Sequence, residues 1–233
     1  SEGYYEYEGS EYAKLTATYV TYPAYQFSDN TTVISGTTYY FKVEPIKWRV
    51  ISNNDGTIQL LSEYILENQY YYPNTSSRTI DGKTIYSNNY EHSRIRGWLN
   101  NEFYNKAFGT LDQSAILTTL VDNSASTTNS SSNSYASNNT NDKIYLLSYQ
   151  DSSTYFNDDA SRQAKTTDYA RAVGAYMNTS TSYYGNGHWW LRSPSHSSTY
   201  ACHVLYDGDV GSSNVDRAYR GARPALQIKN NIW

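Results

Sequence analysis

The stretch from Gly187 to Ile228, GHWWLRSPSHSSTYACHVLYDGDVGSSNVDRAYRGARPALQI, constrains the fold more than any other part of the chain. It opens on three large apolar residues in a row, Trp189, Trp190 and Leu191, and closes on Arg223-Pro224-Ala225-Leu226, with Ile228 two positions on. Two strands buried on both faces, framing a polar and aromatic interior, would produce this pattern. Inside the frame, Tyr206-Asp207-Gly208 reads as a three-residue hairpin loop with Gly208 at the position that needs positive φ. That register sets Val204 opposite Val210. A two-residue Asp-Gly turn would set Leu205 against Val210 and break the apolar pairing. Alternation then turns Cys202 and Val204 inward, and His203, Leu205 and Asp209 to the opposite, outward face.

The rest of the chain reads as scaffold. Residues 1–38 form an acidic, tyrosine-rich arm or edge strand, with a strand expected over 16–25, and residues 39–233 form one domain. From Tyr39, YYFKVEPIKWRVIS, the turn NNDG and TIQLLS predict two strands around a tight turn, with Val50, Ile51, Leu60 and Leu61 in the core. Ile95, Trp98, Leu99, Phe103 and Phe108 recur at helical steps and predict a helix from about 91 to 108. Thr110 with Gln113 predicts the capped start of a short second helix. Residues 123–142 are nearly all Ser, Thr, Asn and Ala, too polar to offset the entropy of ordering, and are expected as a long mobile loop. KIYLLS, residues 143–148, predicts a short strand. Residues 158–174 have helical composition, with Thr166 or Thr167 as an internal cap.

Composition narrows the function classes. A formal net charge of −4 and no Lys or Arg run argue against a nucleic-acid surface. The single cysteine, Cys202, allows neither an internal disulfide nor a thiol pair for zinc. No run of about 18 apolar residues offers a membrane span, and SEGYYEYEG has neither the charged nor the apolar part of a signal peptide. The 27 tyrosines against 5 phenylalanines suit half-exposed sheets and binding surfaces.

Six ordered segments, FKVEPIKWRVIS, RGWLNNEFYNKAF, DKIYLLS, ASRQAKTTDYARAVGAY, GNGHWWLRSPS and GARPAL, carry a resemblance. Together they resemble a bacterial domain family of uncharacterised function typified by its WWLRSP and RPAL motifs. The resemblance implies an α+β, C-type-lectin-like fold related to formylglycine-generating enzymes and frequent among the variable proteins of diversity-generating retroelements. In such proteins adenine-directed mutagenesis of Asn-type codons scatters a C-terminal ligand-binding face and leaves the framework alone. Changes starting from AAC cannot reach Lys, Glu, Gln, Met or Trp, and none of these occurs from Ser195 to Ala222. The sole cysteine and two of the four histidines also fall there.

The expected ligand-binding residues are His196, Tyr200, His203, Leu205, Tyr206, Asp209, Ser212, Asn214, Asp216, Arg217, Tyr219 and Arg220, converging on one exposed face. The expected partner is a protein or glycan at a bacterial cell surface, bound without cofactor, metal or chemistry. Two other readings stay open: an enzyme or degenerate enzyme of the formylglycine-generating type, and a structural surface domain without a dedicated ligand. Against the first, those enzymes use a pair of cysteines, and Cys202 reads as a buried, inert thiol. His188, beside Trp189, reads as a packed histidine. Glu44-Pro45-Ile46 lacks the amide oxygen of a calcium-binding lectin tripeptide, and turn chemistry accounts for Asp207 and Asp209 without a cation.

Overall fold

The computed structural model of the protein describes residues 3–18, 25–54 and 56–230. The architecture is α+β, with many short strands and a few short helices. At the start of the chain β1 (Gly3–Tyr7) and β2 (Ser10–Thr16) form a hairpin, and β2 pairs on its other side with β3 (Thr38–Lys42). Of the strand expected over 16–25, Thr16 ends β2, and residues 19–24 lie outside the described residues. Leu15, Tyr25, Phe27 and Val33 pack on Ala172 and Met177 in a core cluster of their own.

The hairpin of β4 (Trp48–Asn54) and β5 (Thr57–Ser62) forms as expected, with Leu61 fully buried. Val50 does not join the core and is 58% exposed. β4 is an edge strand, and adjacent residues of a strand point to opposite faces; Ile51 takes the covered side, at a register shift between Val50 and Ser52. After β6 (Glu67–Asn68) and the small hairpin of β7 (Arg78–Ile80) and β8 (Lys83–Ile85), the long helix appears in three pieces. These are α1 (Arg94–Trp98), a π-helical turn (Leu99–Phe103) and α2 (Tyr104–Ala107). The Ser93 hydroxyl caps α1 by accepting from the Arg96 N–H, and Ile95, Trp98, Leu99 and Phe103 form its buried stripe. α3 (Thr110–Ala115) begins at Thr110, the residue expected to cap it; the cap lies one residue earlier, at Gly109, whose N–H donates to the Asp112 carboxylate.

Segment 123–142 is ordered locally, against the expectation of a mobile loop. It holds two 3-10 turns, Ala125–Thr127 and Ser130–Tyr135, and pairs β9 (Thr119–Val121) with β10 (Thr140–Asp142). Its polar side chains do what an apolar core would do elsewhere. Asn123 Nδ2 donates to the Asn138 carbonyl and to Thr140 Oγ1, and the Thr127 and Thr128 hydroxyls donate to carbonyls three residues back. KIYLLS is buried from Ile144 to Ser148 yet forms only an isolated bridge, Tyr145 to Ala225, rather than a strand. Its neighbouring backbone groups bond side chains instead: Asn100 Oδ1 accepts from the Lys143 and Ile144 N–H groups, and Arg192 donates to the Leu146 carbonyl. α4 (Tyr149–Thr154) follows, and the helical composition over 158–174 resolves into α5 (Asp159–Arg162) and α6 (Asp168–Ala172), the latter capped by Thr167.

The framed stretch supplies β11 (Trp189–Pro194), β12 (Tyr200–Val204), β13 (Val210–Asn214), β14 (Gly221–Ala222) and β15 (Ala225–Lys229). The main sheet runs β13-β12-β11-β14-β6, while β15 pairs with β5. Trp189, Leu191, Cys202 and Val204 enter one core cluster with Leu61, Leu147 and Phe156. Trp190, Ala201, Val215 and Ala222 enter another with Tyr71, Tyr90, Ile95 and Leu99. The sheet is thus covered on both faces, which is why its central strand carries an unbroken apolar run. Arg192 is equally structural: it donates to the Asp122 and Leu146 carbonyls and meets Asp151 at 2.7 Å.

Candidate functional site

The β12–β13 hairpin has the expected register, with Val204 facing Val210 and Gly208 at φ +94°. The loop does not stand free. Arg162 Nε donates to the Gly208 carbonyl at 2.8 Å and Gln163 Nε2 to the Asp207 carbonyl at 2.9 Å, so the tip is clamped to the end of α5.

The twelve expected binding residues do not share one face. Tyr200, Ser212 and Asn214 pair along the hairpin on the side of Cys202 and Val204, whereas His203 lies on the opposite side with Gly211 and Ser213. His203 and Arg220, expected outward, are buried, 2% and 6% exposed. Alternation names the side of a strand that a residue occupies, not what covers that side. Here the cover is the segment leading into β14, together with His188 and Trp190. The His203 ring stacks nearly parallel on His188 at 5.7 Å and meets the edge of Trp190 at 5.9 Å.

Around this pair the chain gathers an aromatic and cationic cluster. Arg220 lies 5.5 Å from the Trp190 ring and 5.3 Å from the Tyr219 ring; its Nε donates to Ser213 Oγ at 2.6 Å and its Nη1 donates to His188 Nδ1. Tyr206 sits 5.8 Å from His188 and 5.3 Å from Tyr183, and Tyr176 is edge-on to His188 at 4.2 Å. Leu205 packs against the open side of Gly211. His203, Leu205, Tyr206, Tyr219 and Arg220 therefore belong together. Burial, then the Arg220 charge, pulls the His188 imidazole down to about 3, and burial, Arg220 and His188 pull His203 down to about 2. Both rings are neutral at physiological pH. Burial also lowers Arg220 to about 10, which leaves it charged there.

The remaining expected residues sit apart. His196 is exposed, stacks edge-on with Tyr200 at 5.4 Å and bonds Ser195, while Asn214 Oδ1 accepts from the Thr199 hydroxyl. Asp209 and Arg217 are exposed; Asp216 is partly covered, with one buried oxygen lacking a partner. The Asp207 carboxylate accepts from the Asp209 N–H, and that of Asp209 from the Val210 N–H, which is turn chemistry. Cys202 is buried, its thiol donates to the Pro194 carbonyl, and burial pushes it up to about 12. Among the described residues no three His, Cys, Asp or Glu side chains group as metal ligands, and none of the helices is long and apolar enough to cross a membrane.

A model of the domain of unknown function DUF6273 matches residues 55–230, about three quarters of the chain. The chain belongs to the DUF6273 family. No curated protein and no solved structure matches it. The DUF6273 span takes in the main sheet and the whole cluster around His188 and His203; β1, β2, β3 and β4 precede it. A groove of about 910 Å³, lined by Phe41, Pro45, Phe103 and Tyr169 among others, includes none of the twelve expected residues. We place the candidate site at the cluster, because orphaned polar atoms concentrate there: His188 Nε2 and both His203 ring nitrogens are buried without a partner among the described residues. The sequence reading missed Tyr176, Tyr183 and Ser213, and took His188 for a packed residue only. Their sole sequence signal is the tyrosine density of the loop before Gly187; what joins them to Arg220 is long-range packing.

Proposed function

We propose that this domain is a ligand-binding display module of C-type-lectin-like fold, presenting its C-terminal segment to a protein or glycan at a bacterial cell surface, and that the segment is diversified by a retroelement. The observation that carries the reading is the rim of Tyr206, Tyr219 and Arg220 around two neutral histidines, of whose ring nitrogens only His188 Nδ1 has a partner among the described residues. Tyrosine and arginine are the types that most often dominate binding energy, and unpaired polar atoms beside them are what a ligand satisfies. Support for diversification comes from the residue types present from Ser195 to Ala222, all reachable by adenine changes from Asn-type codons. The cell-surface location follows from that reading. A buried, high-pKa Cys202 argues against thiol chemistry, since the thiolate is the reactive form.

The test is a screen of the folded protein against cell-surface glycans and proteins, repeated with Tyr206→Ala/Tyr219→Ala. Binding should be lost while thermal stability shifts by no more than about 1 kcal/mol, because both rings are only partly covered. Binding that survives the double substitution would place the contact face elsewhere. A near-identical template copy of the C-terminal coding segment beside the gene is the expected genetic signature of diversification. Turnover in a copper- or oxygen-dependent assay would replace the binding reading with the enzymatic one.

A further inference from the structure

We propose that Arg220 is the anchor of a carboxylate-binding subsite and that its ligand is an acidic saccharide bearing a uronate-type carboxylate. The proposal rests on the placement of the binding face given above and names the chemistry of what it holds.

Two of the buried arginines face a carboxylate, Arg192 with Asp151 and Arg171 with Asp168. Arg223 and Arg220 do not; Arg223 is fully enclosed over the Trp189 ring and donates to the Ser62 and Arg162 carbonyls. Arg220 has a hydroxyl, Ser213 Oγ, and a neutral imidazole nitrogen, His188 Nδ1. Neither carries charge. Its Nη2 has no hydrogen-bond partner among the described residues and keeps contact with solvent. A guanidinium so placed has lost most of its hydration and gained no counter-charge, and an incoming carboxylate supplies both the charge and the acceptor.

Each histidine adds an unpartnered N–H donor, and His203 one unpartnered acceptor nitrogen as well. A guanidinium has no lone pair to offer, so the Arg220 contact requires His188 Nδ1 to accept; the neutral ring then carries its proton on Nε2, which is buried without a partner. His203, also neutral, carries one N–H, and neither of its nitrogens is partnered. The cluster thus offers two unpartnered imidazole N–H donors against one acceptor, beside a fixed positive charge, an arrangement that repels metal cations and suits an anionic acceptor. The tyrosine rings decide the rest: Tyr219 flanks the guanidinium and Tyr206 the His188 ring, giving aromatic faces and hydroxyls for a pyranose next to its carboxylate.

The experiment is an NMR titration of the whole protein with three probes: glucuronate, glucose, and the α-amide of N-acetylglutamic acid. Glucuronate should give saturable shifts at the Arg220 Nε–H and at the His188 and His203 ring protons, glucose should give none, and the glutamate derivative should bind at least tenfold more weakly. Arg220→Gln should weaken glucuronate tenfold or more, and Arg220→Lys should restore only part of it. If the buried arginine proves necessary for folding, the three-probe comparison on the unaltered protein still decides. Equal responses to glucose and glucuronate, or no saturable response, overturn the carboxylate subsite; tighter binding of the glutamate derivative overturns the saccharide assignment. Each of these results leaves the surface screen free to find a neutral partner, so failure here is separable from failure of the binding-module reading.

Discussion

At the scale of single residues, the tryptophans and histidines of the main sheet make opposite demands on solvent. Trp190 is fully buried, meets Tyr71 and His203 edge-on and donates its indole N–H to the Gln69 carbonyl. Trp190→Ala should cost on the order of 3–5 kcal/mol through lost burial and a residual cavity. A melting curve moved by only a degree or two would contradict that packing. The buried histidines make stability depend on pH. Both titrate in the folded protein well below the ordinary 6.5, so as pH falls the unfolded chain takes up protons first. Their contribution is fully present above about pH 6.5 and is lost as pH drops toward about 3, by up to about 1.4 kcal/mol per pH unit for each ring. Urea unfolding at pH 7 and pH 5 should show the loss, and His188→Gln/His203→Gln should flatten it; equal stability of the unaltered protein at the two values would count against neutral buried imidazoles. The burial of Trp190 could be read from the unbroken apolar run, and the inward side of Cys202 and Val204 from a strand and its period. The burial of His203 could not, because its cover comes from Arg220 and from His188, which lies just before β11.

At the scale of elements, the hairpin was legible down to its register because the Val204–Val210 pairing and Gly208 point to one loop length. Its clamp on α5 was not. A Cβ at residue 208 would fall 1.8 Å from the Asp159 carbonyl oxygen, at a φ that L residues rarely adopt. Gly208→Ala should therefore lift the tip away, break the Arg162 and Gln163 hydrogen bonds, and cost about 3 kcal/mol or more. Gly56 has a φ of +75° but open space around it, so Gly56→Ala should cost only about 1–2 kcal/mol. Equal melting temperatures for the two variants would show that the tip is not clamped. Segment 123–142 taught a different lesson. Composition counts what a segment can bury, but its Asn, Ser and Thr side chains are placed to bond their own backbone, and placement is invisible to a composition argument. The twelve expected binding residues failed to converge for a related reason: a hairpin has two sides, and residues from both had been assigned to one.

At the scale of the whole molecule, the α+β character and the central role of the C-terminal strands could be read from the sequence. The attachment of the first forty residues could not be fixed by the same means. β2 is joined to β3, so the sheet crosses the boundary drawn at residue 38. The cluster beneath that sheet includes Ala172 and Met177, which stand on and just after α6, and the Asp168 carboxylate accepts from the Ser28 N–H and hydroxyl. Asp168 also pairs with Arg171, which donates to the Gln26 carbonyl and to Thr166 Oγ1. The N-terminal sheet is thus bound to the segment that leads, through Tyr176, to the His188 cluster. Removing residues 1–38 takes away Leu15, Tyr25, Phe27 and Val33, each worth roughly 1.5–3 kcal/mol when buried, and uncovers Met177. The lost chain entropy offsets part of that, so the expected result is a melting temperature several degrees lower, new binding of a hydrophobic dye, and altered ring-proton shifts at His188. An unchanged melting temperature with an unchanged His188 spectrum would mean that the N-terminal sheet is an appendage, and that the site is held by the main sheet and α5 alone.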